Sequence, residues 1–229
     1  MDLGLSKTTK KAAIPPSDAA TLIIVRFDGP SPRLLMGQRH QGHVFMPGKF
    51  VFPGGRLERE DGRKAVAGEC DPITIQKLML GMRGKPSLTR ARGLLVAAVR
   101  ETYEETGLQV GHRGPQGPAD LTGLVYVARA ITPPGRTRRF DSRFFTCDAR
   151  LVTNLDAPHA LASPELLTLN WVTLAEALEL NLPSITRDVL GILAPFLVKN
   201  TLPPKDCPVS FHLNRGTSWV VEQLSLHKT

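Results

Sequence analysis

The sequence predicts an α+β fold, with sheet and helices in separate layers. Three observations lead there. Apolar, strand-like runs bounded by Gly, Pro and Asp recur through the chain. Other segments carry apolar residues at helical spacing. The two kinds mix without the strict alternation that a doubly wound parallel sheet requires. At 229 residues and 41% hydrophobic content the chain can bury one good core, so a single domain with one active site is expected. Its expected span is 19–229, after a disordered N-terminal leader over 1–18.

The elements follow in order. Thr21 to Arg26 and Arg33 to Arg39 read as two strands joined by the turn Asp28-Gly29-Pro30-Ser31-Pro32. Phe50-Val51-Phe52 reads as a short strand, and the Gly54-Gly55 pair behind it as a sharp loop whose backbone angles are closed to other residues. Within the excursion from Asp61 to Lys85, Asp71-Pro72 forms an N-cap and first turn. Ile75, Leu78, Met79 and Met82 follow at helical spacing. Ser87 or Thr89 caps a long helix with Leu95, Ala98, Thr102 and Thr106 on one side, and Gly107 stops it. Leu121 to Ala130 and Arg139 to Asp148 read as strands around the turn Thr132-Pro133-Pro134-Gly135, and Leu166 to Val172 as another. Helices are expected over Leu174 to Leu180 and roughly Pro183 to Val198. From Pro203 the chain reads as a loop with a last short strand near Trp219 to Leu224, and Trp171 and Phe140 read as core.

Composition narrows the function classes. A formal charge of +8 and a pI near 9.8 favour an anionic ligand. The excess is scattered: Lys7, Lys10 and Lys11 carry part, Arg136, Arg138 and Arg139 another part, so a solvated face explains each run as well. No nucleic-acid motif or aromatic platform accompanies the charge, and no specific nucleic-acid partner is expected. Cys70, Cys147 and Cys207 lie far apart without C-x-x-C spacing, which argues against a disulfide framework or zinc site and fits a reducing cytoplasm. No run reaches the length of a membrane span, and MDLGLSKTTKKAAIPPSDAA lacks the apolar centre of a secretory signal.

The chemistry concentrates in RETYEETG. Glu101, Glu104 and Glu105 stand at i, i+3 and i+4, so three carboxylates project from one helix face. A solvated acidic face is the plain reading of such a cluster. Its charge repulsion is relieved by a cation, and hard oxygen ligands in this arrangement suit Mg²⁺ or Mn²⁺ bridging to substrate phosphates. Arg100 pairs with Glu104 at i, i+4 and is also placed to brace the glycine loop. Arg39 is a candidate phosphate contact, with a surface strand-end arginine as the alternative. His40 and His43 precede the glycine loop and are the histidines placed to touch substrate. The remaining four, His112, His159, His212 and His227, have no ligand spacing. Glu165, ahead of its strand, either adds a carboxylate to this site or is simply exposed. The turn that carries Arg136, Arg138 and Arg139 either closes over an anionic substrate or is solvated.

FPGGRLE at 52–58 and RETYEETGL at 100–108 together resemble the two halves of the box that defines the Nudix hydrolases, G-x5-E-x7-R-E-U-x-E-E-x-G-U with U aliphatic. With Gly55 as the opening glycine, the first box glutamate falls on Asp61, with Glu58 or Glu60 as alternatives. The spacer before Arg100 grows from seven residues to 38, and Thr102 stands at an aliphatic position. An insertion at about 62–92, together with RHQGHVFMPGKFVFPGGRLEREDG at 39–62, resembles the subgroup of peroxisomal coenzyme A diphosphatases; the RFDSRFF strand at 139–145 is similar to theirs too. The resemblance implies the Nudix fold, a mixed β-sheet sandwiched between α-helices. It also implies Glu101, Glu104 and Glu105 as ligands of Mg²⁺ or Mn²⁺. Glu104, Glu105 and Arg100 would be the catalytic residues, Gly54, Gly55 and Arg39 the substrate-binding ones. The implied substrate is a small molecule with a diphosphate linkage, coenzyme A or an acyl derivative first, and the implied assembly a homodimer. The insertion is expected to border the substrate pocket. A nucleotide sensor without turnover is the alternative, kept open by Asp61.

Overall fold

In the computed structural model the described residues are all except 1–13, 43–45, 112–116, 156–164, 217 and 227–229. Strand β1 (Ser17–Arg26) carries the unbroken apolar run Leu22–Val25 and is buried on both faces, as expected of a central strand covered on each side. Its neighbours are unlike. With β8 (Phe140–Asp148) it pairs in parallel from Ser17↔Phe140 to Val25↔Asp148. With β2 (Arg33–Arg39) it pairs antiparallel at Val25↔Leu34 and Arg26↔Arg33 alone. Beyond those two pairs the strands part, and residues 50–56 fill the split. There β3 (Phe50–Val51) pairs with Gly37 and Gln38 of β2, and β4 (Gly54–Arg56) pairs with Ala19, Ala20 and Thr21 of β1. This split sheet brings the glycine pair against Glu101 and Glu105.

The rest of the sheet extends outward. Strand β7 (Val125–Ile131) lies antiparallel to β8. Next come β10 (Val209–Arg215), parallel to β7, and β11 (Ser218–Leu224), antiparallel to β10. On the other side β9 (Leu166–Thr173) runs antiparallel to β2. A separate pair joins β5 (Val66–Gly68) to β6 (Ala119–Asp120).

Helices cover both faces. On one side α1 (Pro72–Met79) and α2 (Leu88–Thr106) meet the sheet, with Leu94, Leu95 and Ala98 packed in a core with Leu22, Ile24, Leu35 and Phe145. On the other, α3 (Leu174–Glu179) and α4 (Ser184–Leu197) do so, with Val189, Leu190 and Leu193 packed with Ile23, Val25, Met36 and Phe144. The layering is therefore the α+β one expected. The caps are as read: Asp71 accepts from the N–H of Ile73, Ser87 from that of Arg90, and Gly107 adopts φ 73°.

Several expectations are corrected. Strand β1 starts at Ser17, inside the expected leader, because parallel pairing with β8 orders polar residues that have no periodicity of their own. Gly54-Gly55 lies in strand β4, not in a loop. The stretch from Leu121 is broken, with β7 beginning at Val125. Residues 209–215, expected as loop, form β10, whose Val209 and Phe211 turn inward while alternating with polar residues. Trp171 and Phe140 are half-buried, each beneath a guanidinium: Arg26 lies 5.7 Å from the Trp171 ring and Arg56 5.6 Å from that of Phe140.

The inserted helix α1 docks on α2 and β7. Nζ of buried Lys77 donates to the Cys207 carbonyl at 2.7 Å, and Arg129 donates to the Gly81 carbonyl at 2.8 Å. The acids, by contrast, lie beside β4. The expectation that the insertion borders the substrate pocket finds no support in α1, which packs on the same face of the sheet as α2 but further along, over β7, while Asp61, just ahead of the insertion, bonds Arg100.

Candidate active site

Arg100, Glu101, Glu104 and Glu105 sit near the C-terminal end of α2. Its buried residues, from Ala91 to Thr106, fix its rotation over β1, with Gly93 against the turn at Asp61–Arg63 and Glu105 against β4. Two glycines make the approach possible. A Cβ on Gly55 would overlap the carboxylate of Glu101, so that carboxylate occupies the space of a missing side chain. The N–H of Gly54 donates to Oε2 of Glu105 at 2.9 Å, while a Cβ on Gly54 would collide with the Ala20 carbonyl.

Arg100 organises the ring around these acids. Its Nε and Nη2 bind Asp61 Oδ1 and Oδ2 at 2.9 and 3.1 Å, a two-pronged pairing suited to the planar guanidinium. Its Nη1 donates to Glu101 Oε1 at 3.0 Å and Glu104 Oε2 at 2.9 Å, and Nη2 also reaches the Arg56 carbonyl at 2.8 Å. Bracing of the glycine strand and pairing with Glu104 are thus both present. Asp61 is fully buried and accepts the N–H of Glu58 as well; Glu58 and Glu60 are exposed. Of the three acids considered for the first box position, Asp61 is the one joined to the site, as the partner of Arg100.

Glu105 is 4% exposed. Burial pushes its carboxyl up to about 8, against the lowering pull of the Gly54 N–H and Arg39; the charges of Glu101 and Glu165 add to the rise. Glu101 is raised too, chiefly by burial, with Arg100 opposing and Glu104 and Glu165 reinforcing. Glu104 is half exposed and open to solvent. Arg39, at a bulge near the end of β2, is within electrostatic reach of Glu105.

Glu165 lies within electrostatic reach of this site. Its carbonyl accepts the His40 N–H at 3.2 Å, which ties it to the end of β2, and its charge acts on both Glu101 and Glu105. The sequence placed it beside a strand without showing which acids that strand would meet.

The other flagged residues are placed as follows. His40 Nδ1 accepts the Gly42 N–H at 3.0 Å and so holds a turn. His43, His112, His159 and His227 lie outside the described residues. His212 is buried on β10, far along the sheet. Arg139 binds the carbonyls of Thr132 and Ile14, while Arg136 and Arg138 stay exposed at the turn. A cavity of about 1030 Å³ opens at the opposite end of β1, lined by Arg26, Asp148, Arg150, Asn154 and Thr201 among others, and none of the acids lines it.

Glu101 and Glu104 thus share the Arg100 guanidinium with Asp61, Glu105 sits against the Gly54 N–H, and Glu165 and Arg39 lie within electrostatic reach. The donors are hard oxygens with an excess of negative charge, the chemistry that suits Mg²⁺ or Mn²⁺. As they stand, among the described residues, no three acidic, His or Cys side chains converge closely enough to hold a metal ion. Arg100 and the Gly54 N–H take the oxygens that a cation would use.

No family model matches the chain. Among solved structures it is similar to a Nudix hydrolase from Alicyclobacillus acidocaldarius, at 24% identity and a TM-score of 0.60, over 84% of this chain and all of that one. It is also similar to a MutT Nudix hydrolase from Burkholderia pseudomallei, at 16% identity and a TM-score of 0.48, over 79% of this chain and 99% of that one. The Nudix domain of Shewanella oneidensis NrtR, solved with ADP ribose, matches at 13% identity and a TM-score of 0.48, over 83% of this chain and 94% of that one. The chain has the Nudix fold, a mixed sheet between helices, and that assignment rests on the first of these together with the layering described above. Among the described residues no helix is long and apolar enough to cross a membrane.

Proposed function

We propose that the chain is a Nudix diphosphatase that hydrolyses the diphosphate linkage of a nucleoside-diphosphate-linked metabolite, with coenzyme A or an acyl-coenzyme A as the first substrate candidate. The observation that carries the reading is the pairing of two glycines with two acids: Glu101 fills the side-chain space of Gly55, and Glu105 is buried against the Gly54 N–H. A surface helix face has no need of either arrangement. Glu101, Glu104 and Glu105 would hold Mg²⁺ or Mn²⁺ in place of the hydrogen bonds from Arg100 and the Gly54 N–H. A divalent cation there supplies neutralisation of the diphosphate oxygens and acidifies water, which addresses the repulsion that protects a diphosphate from attack.

The chain's own residues do the rest. Arg100 holds Glu101 and Glu104 toward the glycine strand, anchored on buried Asp61. Arg39 faces the anionic substrate. Glu104 or Glu105 orients the attacking water and takes its proton. In the metal-free chain burial raises the Glu105 carboxyl to about 8, so it has to lose its proton before it serves in either way. The insertion at 62–92 and the glycine loop support the coenzyme A choice through the resemblance alone. The three free cysteines fit a reducing, cytoplasmic setting, in which the chain from Ser17 acts as one domain and the protein as a homodimer.

One observation favours a second reading, a nucleotide sensor without turnover: Arg100 already bonds two of the three box acids. Product analysis separates the two. Coenzyme A, ADP-ribose, NADH and nucleoside triphosphates are offered with Mg²⁺ or Mn²⁺ to wild type and to Glu104→Gln. Metal-dependent cleavage that Glu104→Gln abolishes is the expected result. Binding without cleavage by the wild type gives the sensor instead.

A further inference from the structure

Strand β11 ends the sheet and, among the described residues, pairs with β10 alone. Its outer edge therefore presents a row of backbone N–H and C=O groups. Sheet edges are commonly blunted by Pro, by lysines or by bulges. SWVVEQL has none of these: it contains no Pro, Gly or Lys, and its pairing with β10 runs in register from Val209↔Leu224 to Arg215↔Ser218. Its one charge, Glu222, is bound to Arg215 within the hairpin. Trp219 and Val221, on one face of the strand, are 45% and 50% exposed.

We infer that the β11 edge is the surface through which two copies of this chain pair, antiparallel about a two-fold axis at Val221, joining their sheets into one. The proposal rests on the homodimer reading and not on the reaction assigned above. A two-fold axis requires the patch to be complementary to itself, and this register is. Val221 meets its own copy, Trp219 lies opposite Gln223, Val220 opposite Glu222, and Ser218 opposite Leu224. No charge faces a like charge directly; Glu222 and its copy fall on the diagonal, each already paired with its own Arg215. A second copy satisfies the open backbone groups and covers the exposed Val221 and Trp219 together. Seven paired residues form a small interface, so association in the micromolar range is expected.

The test is the mass of the full chain by sedimentation or light scattering across a concentration series, for wild type, Val221→Lys, Val221→Glu and an equimolar mixture of the two variants. In this register lysine meets lysine and glutamate meets glutamate. Each single variant should then dimerise about tenfold or more weakly, from lost apolar contact and like-charge repulsion. The mixture, placing Lys against Glu, should recover the dimer. A wild type that stays monomeric throughout overturns the homodimer reading and this surface with it. A wild type that dimerises while both single variants do so equally well overturns this surface alone. Hydrogen exchange of the wild type at 218–224 serves even if a variant fails to fold: slowing as concentration rises is expected, and exchange there that ignores concentration overturns the surface.

Discussion

The N–H of Gly54 donates to the carboxylate of Glu105 across 51 residues of sequence, at 2.9 Å. It is the link between the strand that fills the split in the sheet and the helix that carries the acids. Beside it, the neighbouring glycine is defined by what its missing side chain would strike.

Gly55→Ala should therefore move Glu101 and little else. The new methyl group overlaps the Glu101 carboxylate, which has to swing away and take its hydrogen bond from Arg100 with it. A displacement of about 1 Å at a reacting site costs roughly a hundredfold in rate. Activity should fall on that order, and the Mg²⁺ concentration for half activation should rise, with the circular dichroism spectrum unchanged. Wild-type kinetics in Gly55→Ala would mean that Glu101 has no part in the site.

Arg100→Ala leaves the carboxylate of Asp61 buried and uncompensated apart from Lys64, 3.6 Å away at the surface. Breaking a buried pair from one side costs about 3–5 kcal/mol. Urea denaturation should show a loss of that size, and the double variant Arg100→Met with Asp61→Leu should recover part of it, since no buried charge then remains. Equal losses in the single and double variants would show that Arg100 stabilises through its other contacts.

The raised carboxyl of Glu105 sets a pH dependence of the metal-free protein. Its pKa rises on folding from about 4.5 to about 8, so the folded state holds a proton that the unfolded state has released. The resulting stability is complete below pH 4.5 and is lost as pH rises through 8. The melting temperature of Glu105→Gln should fall less steeply between pH 5 and 8 than that of the wild type. At pH 7 Mg²⁺ has to displace this proton, so its binding should release about one proton per site. Calorimetry in two buffers of different ionisation enthalpy reads that number directly, and no proton release would place the cation away from Glu105.

Lys77 anchors the inserted helix to the segment ahead of β10, away from the acids along the same face of the sheet. Burial lowers its pKa, with the charges of Cys207, Asp206 and Asp71 opposing, and its ammonium binds the Cys207 carbonyl. Lys77→Ala should destabilise by about 1–3 kcal/mol through the unpaired carbonyl and lost packing. KM should stay at its wild-type value. A changed substrate preference at unchanged stability would restore the insertion to the pocket.

What the sequence by itself determined is what neighbouring residues decide. Asp71, Ser87 and Gly107 set helix ends because a cap acts within one turn. Glu101, Glu104 and Glu105 share a face because the helical period places them there. The two glycines next to Phe52-Pro53 marked a special backbone, though as a loop and not the strand they form, and the box made of these pieces pointed to the fold found. Only the tertiary structure decided what closes over long loops. Polar Ser17 and Asp18 became strand by pairing with residues more than 120 positions away. Asp61 took Arg100 as its partner across 39 residues, and Glu165 joined the acids because β9 pairs with β2. Strand β10 had the alternation of a strand, yet the prolines at 203, 204 and 208 obscured it, and only a place beside β7 made it one. Such pairings depend on which apolar faces meet in the folded chain, and nothing within a window of a few residues encodes that.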